Sequence, residues 1–539
     1  MRKLTFETAR LAQKLSHLMR RRTGFFQTLL GNISAQLKTI DKIAESDEPA
    51  AVIPLAELLL EKQQLAERAT SGICNLLRGY ASLDYLSLEH EIREYYRWTF
   101  DSKWNSLRHG SRLVFHGNDE ARASAWGVLS IHPNGCIRQT AVEHLEKIFA
   151  DQSLPFLLLR LNDWVPEVRD AAMAAVMRRI RLERSAGFLN NLPLVLRLSG
   201  CGRWNHATVV HQIFRFLLKH HERELIDVVI NRCCRSVRRA GYKQLNSQAG
   251  PHCEHMVRSA LAADDYILRL WAIHDAAGFL PRADLRMAFL AGLHDRFPAV
   301  RREAIEGIGN YLTTESNELI QDSLLDRSRA VREGARYVLR KQGWHDFAGY
   351  YRNAIVAEKH LAAAIAGIGE TGKSQDVDLV LRFVESPLVN VRFAAVCAIG
   401  AIAPEDNKTV FFDCLKDMSR KVCRKAQTVL EGICLSSDVD LLRDIVASNP
   451  SPHVHSSAVA VIASLNSWET VPDLLRIAAA DQPRSAEIAL HSLRKRINCV
   501  WTSPPDDVKK AIYSALIDCS SRLGEEFVSG FSIWLKHRT

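Results

Sequence analysis

An all-α solenoid of stacked helical hairpins is the fold class the sequence predicts, and three observations predict it. A polar–x4–Val–Arg frame returns about every 31 residues along most of the chain. The apolar residues after each Val share one helical face. Asp and Pro punctuate the same places in successive copies.

The frame is clearest in DRFPAVRREAIEGIG from Asp295, DRSRAVREGARYVL from Asp326 and SPLVNVRFAAVCAIG from Ser386. It returns in DWVPEVRDAAMAAV from Asp163, DMSRKVCRKAQTVL from Asp417 and NPSPHVHSSAVAVI from Asn449. Anchored on the Val, the series runs Val300, Val331, His360, Val391, Val422 and Val454, with gaps of 31, 29, 31, 31 and 32. Self-similarity at such a period marks a repeat architecture in which each unit needs its neighbours to bury its apolar surface.

Val300, Ala304, Gly307, Ile308 and Leu312 lie on one face of a helix. Val391, Ala395, Ala398 and Ile399 repeat that face, as do Val422, Ala426, Val429 and Leu430. Asp163, Asp295, Asp326 and Asp417 stand where a helix cap belongs, with Ser386 and Asn449 in the same place. Pro166, Pro298 and Pro452 fall in the first helical turn, where a missing N–H costs little. A short apolar helix precedes each cap, so the unit reads as helix, tight turn, helix.

This frame resembles the HEAT repeat, in particular its short variant of the kind also found in phycobilisome lyases. The resemblance covers about residues 130 to 495. It implies a right-handed α-solenoid of about 10–12 HEAT-like hairpins (an armadillo-type fold) and a role as a scaffold or adaptor. Residues 1–130 depart from the frame but keep helical patterning, and are expected to form a helical N-terminal domain or cap. Residues 131–500 carry the repeats, and 501–539 are expected to cap them through Val508, Ile512, Leu516 and Leu523.

Composition is that of an ordered globular chain, 47% apolar and 24% charged. The net charge of +10 favours acidic partners but is thin over 539 residues. None of the twelve cysteines is spaced as CxxC, which suits reduced thiols and a cytoplasmic setting. No apolar run reaches the roughly 18–20 residues of a membrane span, and the N-terminus lacks the apolar core of a secretory signal.

Arg138, Arg169, Arg238, Arg269, Arg301, Arg332 and Arg392 follow the anchor, and the ordinary reading is a structural ladder bonding neighbouring carboxylates and turn carbonyls. Further cations crowd the same turns: Arg235, Arg239, Arg296, Arg302, Arg327, Arg329, Arg420, Lys421, Arg424 and Lys425. These are the candidate contacts for a protein partner or for nucleic acid. A second candidate is the aromatic group Tyr95, Tyr96, Trp98 and Trp104, which interleaves with cations and suits base stacking or peptide capture, although dense aromatics more often form a core. HCEH at His252–His255, with Cys233 and Cys234 one repeat earlier, matches no established zinc spacing. His–Glu pairs of the type used by HEAT-type iron hydroxylases fall outside the frame at His90–Glu91 and His221–Glu222.

No nucleophile–base set, phosphate-binding glycine loop or paired catalytic carboxylate stands out, and no cofactor or metal is expected. The expected function is a non-enzymatic scaffold that binds a protein partner, as a subunit of a larger assembly. A nucleic-acid-binding solenoid using the basic turn edge is the alternative, and a HEAT-type enzyme with a site drawn from distant repeats is the third reading.

Overall fold

The anchor face is buried as its periodicity requires. Val300, Ala304, Ile308 and Leu312 are closed off from solvent, as are Val391, Ala395, Ala398, Ile399, Val422, Ala426 and Leu430. The computed structural model describes residues 5–20, 26–46, 48–61, 63–97, 103–107, 113–182, 186–312, 316–465, 467–499 and 503–536. Among them the secondary structure is helical throughout, without a β-strand. The chain is an all-α repeat protein whose unit is the helical hairpin. None of its described helices is long and apolar enough to cross a membrane.

Two compact units divide the chain, Met1–Pro281 and Arg282–Thr539. Their boundary falls inside the repeat array, away from the positions near 130 and 500 where the sequence pattern changes. In the first unit, the non-repeat helices Gln63–Leu77 and Asp84–Arg97 pack directly on hairpin helices. Tyr85 meets the Phe156 ring edge-on, with centroids 5.1 Å apart. Arg160 bonds both Glu89 of the Asp84–Arg97 helix and Asp163 of the next turn.

Within the second unit the hairpins follow the frame closely. First helices are short, sometimes a single 3-10 turn joined to an α turn, as in Ser316–Gln321 with Asp322–Leu325. The second helices Pro298–Tyr311, Arg329–Lys341, Val389–Ile402, Arg420–Ile433 and Pro452–Ser464 each begin two residues before the anchor. Pro298 and Pro452 occupy the first helical position, as does Pro166 in the first unit. Asp506–Leu523 packs on Val471–Ala478, burying Ile512 and Leu516.

Two expectations are corrected. The recurring Asp does not cap the second helix: its carboxylate accepts from the backbone N–H two residues on, at Val165, Phe297, Ser328 and Ser419, each just before the helix starts. The Asp therefore closes the turn that leads into the helix. His360 holds the anchor register without the anchor's burial. It is exposed, left-handed at φ 47°, and precedes a helix, Leu361–Thr371, that starts three residues later than its counterparts.

Candidate partner-binding groove

The ladder arginines show what the turns are built to do. Arg138 donates through Nε and Nη2 to Asp163 at 2.9 and 2.7 Å, Arg301 to Asp326 at 2.7 and 2.8 Å, and Arg392 to Asp417 at 2.8 and 3.0 Å. In every case the Asp lies 25 residues on, in the turn of the next hairpin. The remaining Nη1 donates to the carbonyl six residues back: His132, Asp295 and Ser386 respectively. One planar guanidinium thus ties its own turn to its neighbour's. Burial by itself would raise the Asp163 carboxyl, but hydrogen bonds from Arg138 and Val165 and the charge of Arg160 hold it below the usual carboxylate range.

The ladder changes at the 360 hairpin. With no Asp in that turn, Arg332 turns to Glu370 on the following helix, and Arg336 reaches the same carboxylate at 2.7 Å and the Tyr351 hydroxyl at 3.1 Å. Glu358 and His360 both take left-handed backbone conformations that ordinary side chains adopt rarely. Three residues' worth of helix are missing, and the gap sits in the middle of an open groove of about 1880 Å³.

The groove runs past the turns of the hairpins on either side of that gap. Leu361, Ala362, Ala363 and Ala366 of the late-starting helix line it, with Phe393 and Ala394 of the next. Leu388 and Val389 project into it and remain 64% and 40% exposed. Its cations are Arg296, Arg327, Arg329, Lys421 and Lys425, besides the ladder residues Arg301 and Arg332. Acidic residues Glu318, Asp322, Glu358 and Asp295 interrupt them, Asp322 paired with Lys359 at 3.0 Å, while Asp326 and Glu370 at the wall are bonded to the ladder residues Arg301 and Arg332. Lys421 lies 4.0 Å from the Phe393 centroid and 3.3 Å from the Asn390 side-chain oxygen.

Local energetics argue against this residue choice on stability grounds alone. A helix N-terminus carries partial positive charge and prefers acidic side chains. Yet Arg329 takes the first position of its helix, and Arg420 and Lys421 the first two of theirs, with no acid in either first turn. Leu388 stands at an N-cap without a side-chain cap hydrogen bond, as do Phe297, Ser328, Ser419 and Ser451 in the other hairpins, and differs from them in being a large apolar side chain that is mostly exposed. Several first helices carry the expected acid in the first turn (Glu318, Asp378, Asp440 and Asp473), although Phe347–Val356 and Lys408–Leu415 do not.

The sequence candidates separate accordingly. Arg296, Arg327, Arg329 and Lys421 line the groove. Arg327 also donates to the Arg296 carbonyl at 3.3 Å. Arg302 pairs with Glu306 on its own helix, Arg424 is exposed on its helix, and Arg420 borders a small pocket with His453 and Arg484. In the first unit Arg235 is exposed at a helix start, and Arg239 is spent on Asp265, at 2.9 and 3.0 Å. Tyr96 and Trp104 are core rings, stacked 5.0 Å apart, with the Tyr96 hydroxyl on the Ile53 carbonyl, so neither offers a face to a ligand. Tyr95 is half exposed, and Trp98 lies outside the described residues.

The HCEH segment forms part of one helix, not a ligand set. His252 and Cys253 are buried, and the His252 Nε2 meets the Leu245 carbonyl at 3.1 Å. Among the described residues no group of three or more His, Cys, Asp or Glu side chains is arranged to hold a metal ion. Sequence reasoning named Lys425, which lines the groove, but missed Leu388 and Val389, whose exposure no periodicity foretells, and the place of Glu358 and His360 in it. The signal that was available is the 29-residue gap to His360, two short of its neighbours, where the Asp is also missing.

No protein-family model matches the chain, and no curated protein matches it. Solved structures do. Over 99% of this chain and 83% of its own, importin beta crystallised from ammonium sulfate is similar at 13% identity, with a TM-score of 0.37. Kap121p is similar at 13% identity and a TM-score of 0.28, the match spanning 99% of this chain and 59% of Kap121p. Human deoxyhypusine hydroxylase in complex with glycerol is similar at 15% identity over 57% of this chain and 98% of its own, with a TM-score of 0.21.

Proposed function

We propose that the chain is a non-catalytic scaffold that holds a protein partner, with the groove of the second unit as its principal contact surface. One observation carries this reading. Around the groove the sequence leaves the apolar side chains of Leu388 and Val389 exposed at a helix start, beside the cations Arg329 and Lys421 at the starts of neighbouring second helices. Departures from local rules that cluster in one place are expected at functional sites. An apolar surface ringed by charge is also how protein interfaces are composed.

The test is capture of partners from the native host by immobilised full-length chain, after nuclease and at about 0.3 M salt, where phosphate contacts are weakened. Wild type is compared with a double variant, Leu388→Asp with Lys421→Glu. A defined protein retained by the wild type and lost by the variant is the expected result. Equal capture by both chains, or capture seen only when nuclease is omitted, overturns the proposal.

A further inference from the structure

We infer that the occupant of the groove is an acidic amphipathic segment of the partner, one apolar face flanked by Asp or Glu. The inference rests on the scaffold reading and names the chemistry the same surface selects. Leu361, Leu388, Val389 and Phe393 supply the apolar contact, and Ala363 and Ala366 between them lack the bulk to hold a partner backbone away. Lys421 and Lys425 sit on the second helix that follows Val389–Ile402, and Arg329 on the one before the gap, so cations reach the groove from hairpins on both sides. Arg329 and Lys421 stand in the first turns of their helices, where the helix dipole adds to their positive field. A carboxylate-bearing peptide gains from both; a basic one is opposed by both.

The size suits a folded segment. The groove is open to solvent and encloses about 1880 Å³, more than a small-molecule site needs and enough to admit a helical segment of a partner. A nucleic-acid strand fits less well. Glu318 and Glu358 break the run of cations that a continuous phosphate backbone needs, and the aromatic ring there, Phe393, has a lysine over its face.

The probe is a synthetic peptide of about 16 residues with Leu at i, i+3, i+4 and i+7 and Glu at the remaining charged positions. Its binding to the full-length chain is read by fluorescence anisotropy at about 50 and about 300 mM salt. Controls are a scrambled peptide of the same composition, a peptide with Lys for each Glu, and a single-stranded oligonucleotide. The acidic amphipathic peptide is expected to bind, to weaken as salt rises, and to lose about tenfold or more in affinity to Lys421→Glu with Lys425→Glu, and separately to Leu388→Asp. Circular dichroism melting of both variants establishes that they fold. The scrambled and basic peptides are expected to bind at least about tenfold more weakly.

Failure of the acidic peptide to bind overturns the inference, as does equal binding by the scrambled or basic peptide. Affinity unchanged in both variants also overturns it, and so does tighter binding of the oligonucleotide at the same site. These outcomes leave the scaffold reading standing if groove variants still abolish partner capture. Unchanged capture would remove that reading whatever the peptide does.

Discussion

Arg301 and Asp326 are joined by two parallel hydrogen bonds of 2.7 and 2.8 Å, across the 25 residues that separate one turn from the next. Both side chains are largely buried, and the same Asp closes its own turn through the Ser328 N–H. Replacing Asp326 by Asn leaves a buried guanidinium with half its acceptors and no counter-charge. The expected loss is about 2–3 kcal/mol in denaturant unfolding. Asp473→Asn, which breaks the more exposed pair with Arg443, is expected to cost under about 1 kcal/mol. Equal losses would show that the ladder contributes no more than a surface ion pair.

The acid response follows from Asp163. Its carboxyl is held below its ordinary value, so its contribution is complete above the unfolded-state value of about 4 and is lost as the pH falls through the folded value. Protonation there strands Arg138 and Arg160, both buried. Asp163→Asn should therefore be less stable than wild type at neutral pH yet lose less stability between about pH 5 and about pH 3. Parallel pH profiles for the two chains would exclude Asp163 as a source of acid lability.

Packing between second helices is tested by two glycines. A Cβ on Gly369 would sit 2.7 Å from the Ala398 Cα, a backbone atom of the adjoining helix. A Cβ on Gly432 meets nothing within 4 Å. Gly369→Ala is expected to destabilise by about 1–3 kcal/mol, and Ala395→Leu, which overfills a buried position on that adjoining helix, by a similar amount. Gly432→Ala should instead stabilise by up to about 1 kcal/mol, through helix propensity. Melting temperatures of the three variants settle the helix register.

Much of this architecture is legible in the sequence because each repeat restates the same local physics. The spacing of Val300, Ala304 and Ile308 is enough to announce a buried face, and Pro298 its first turn. The arginine after the anchor reads as a ladder for the same reason. Asp326 reads as a helix cap because Asp prefers that place. Its actual use, closing a turn while receiving Arg301 from the preceding hairpin, depends on how repeats stack. The groove is harder to foresee, since it arises where repetition fails. His360 comes two residues early and its helix loses the first turn, and Leu388 stands exposed at the start of the next second helix. Tyr96 and Trp104 lie outside the repeat frame, so their sequence context fits core and surface equally well; their stacking and burial make them core.

The groove residues should trade stability against binding. Arg329 and Lys421 stand in the first turns of helices that carry no acid there, and Leu388 stands at an N-cap without a cap hydrogen bond. Arg329→Glu and Lys421→Glu each reverse an unfavourable interaction with the helix dipole, with an expected gain of about 0.3–1 kcal/mol. Leu388→Asp places an acid at a helix start and takes an exposed apolar side chain out of water, and should add about 0.3–1 kcal/mol. Residues kept for folding would not improve the fold when replaced. A triple variant that melts higher than wild type and no longer retains the partner would show that these positions serve binding. A triple variant that melts lower would mean that they support the stack, and the groove would lose its strongest claim to function.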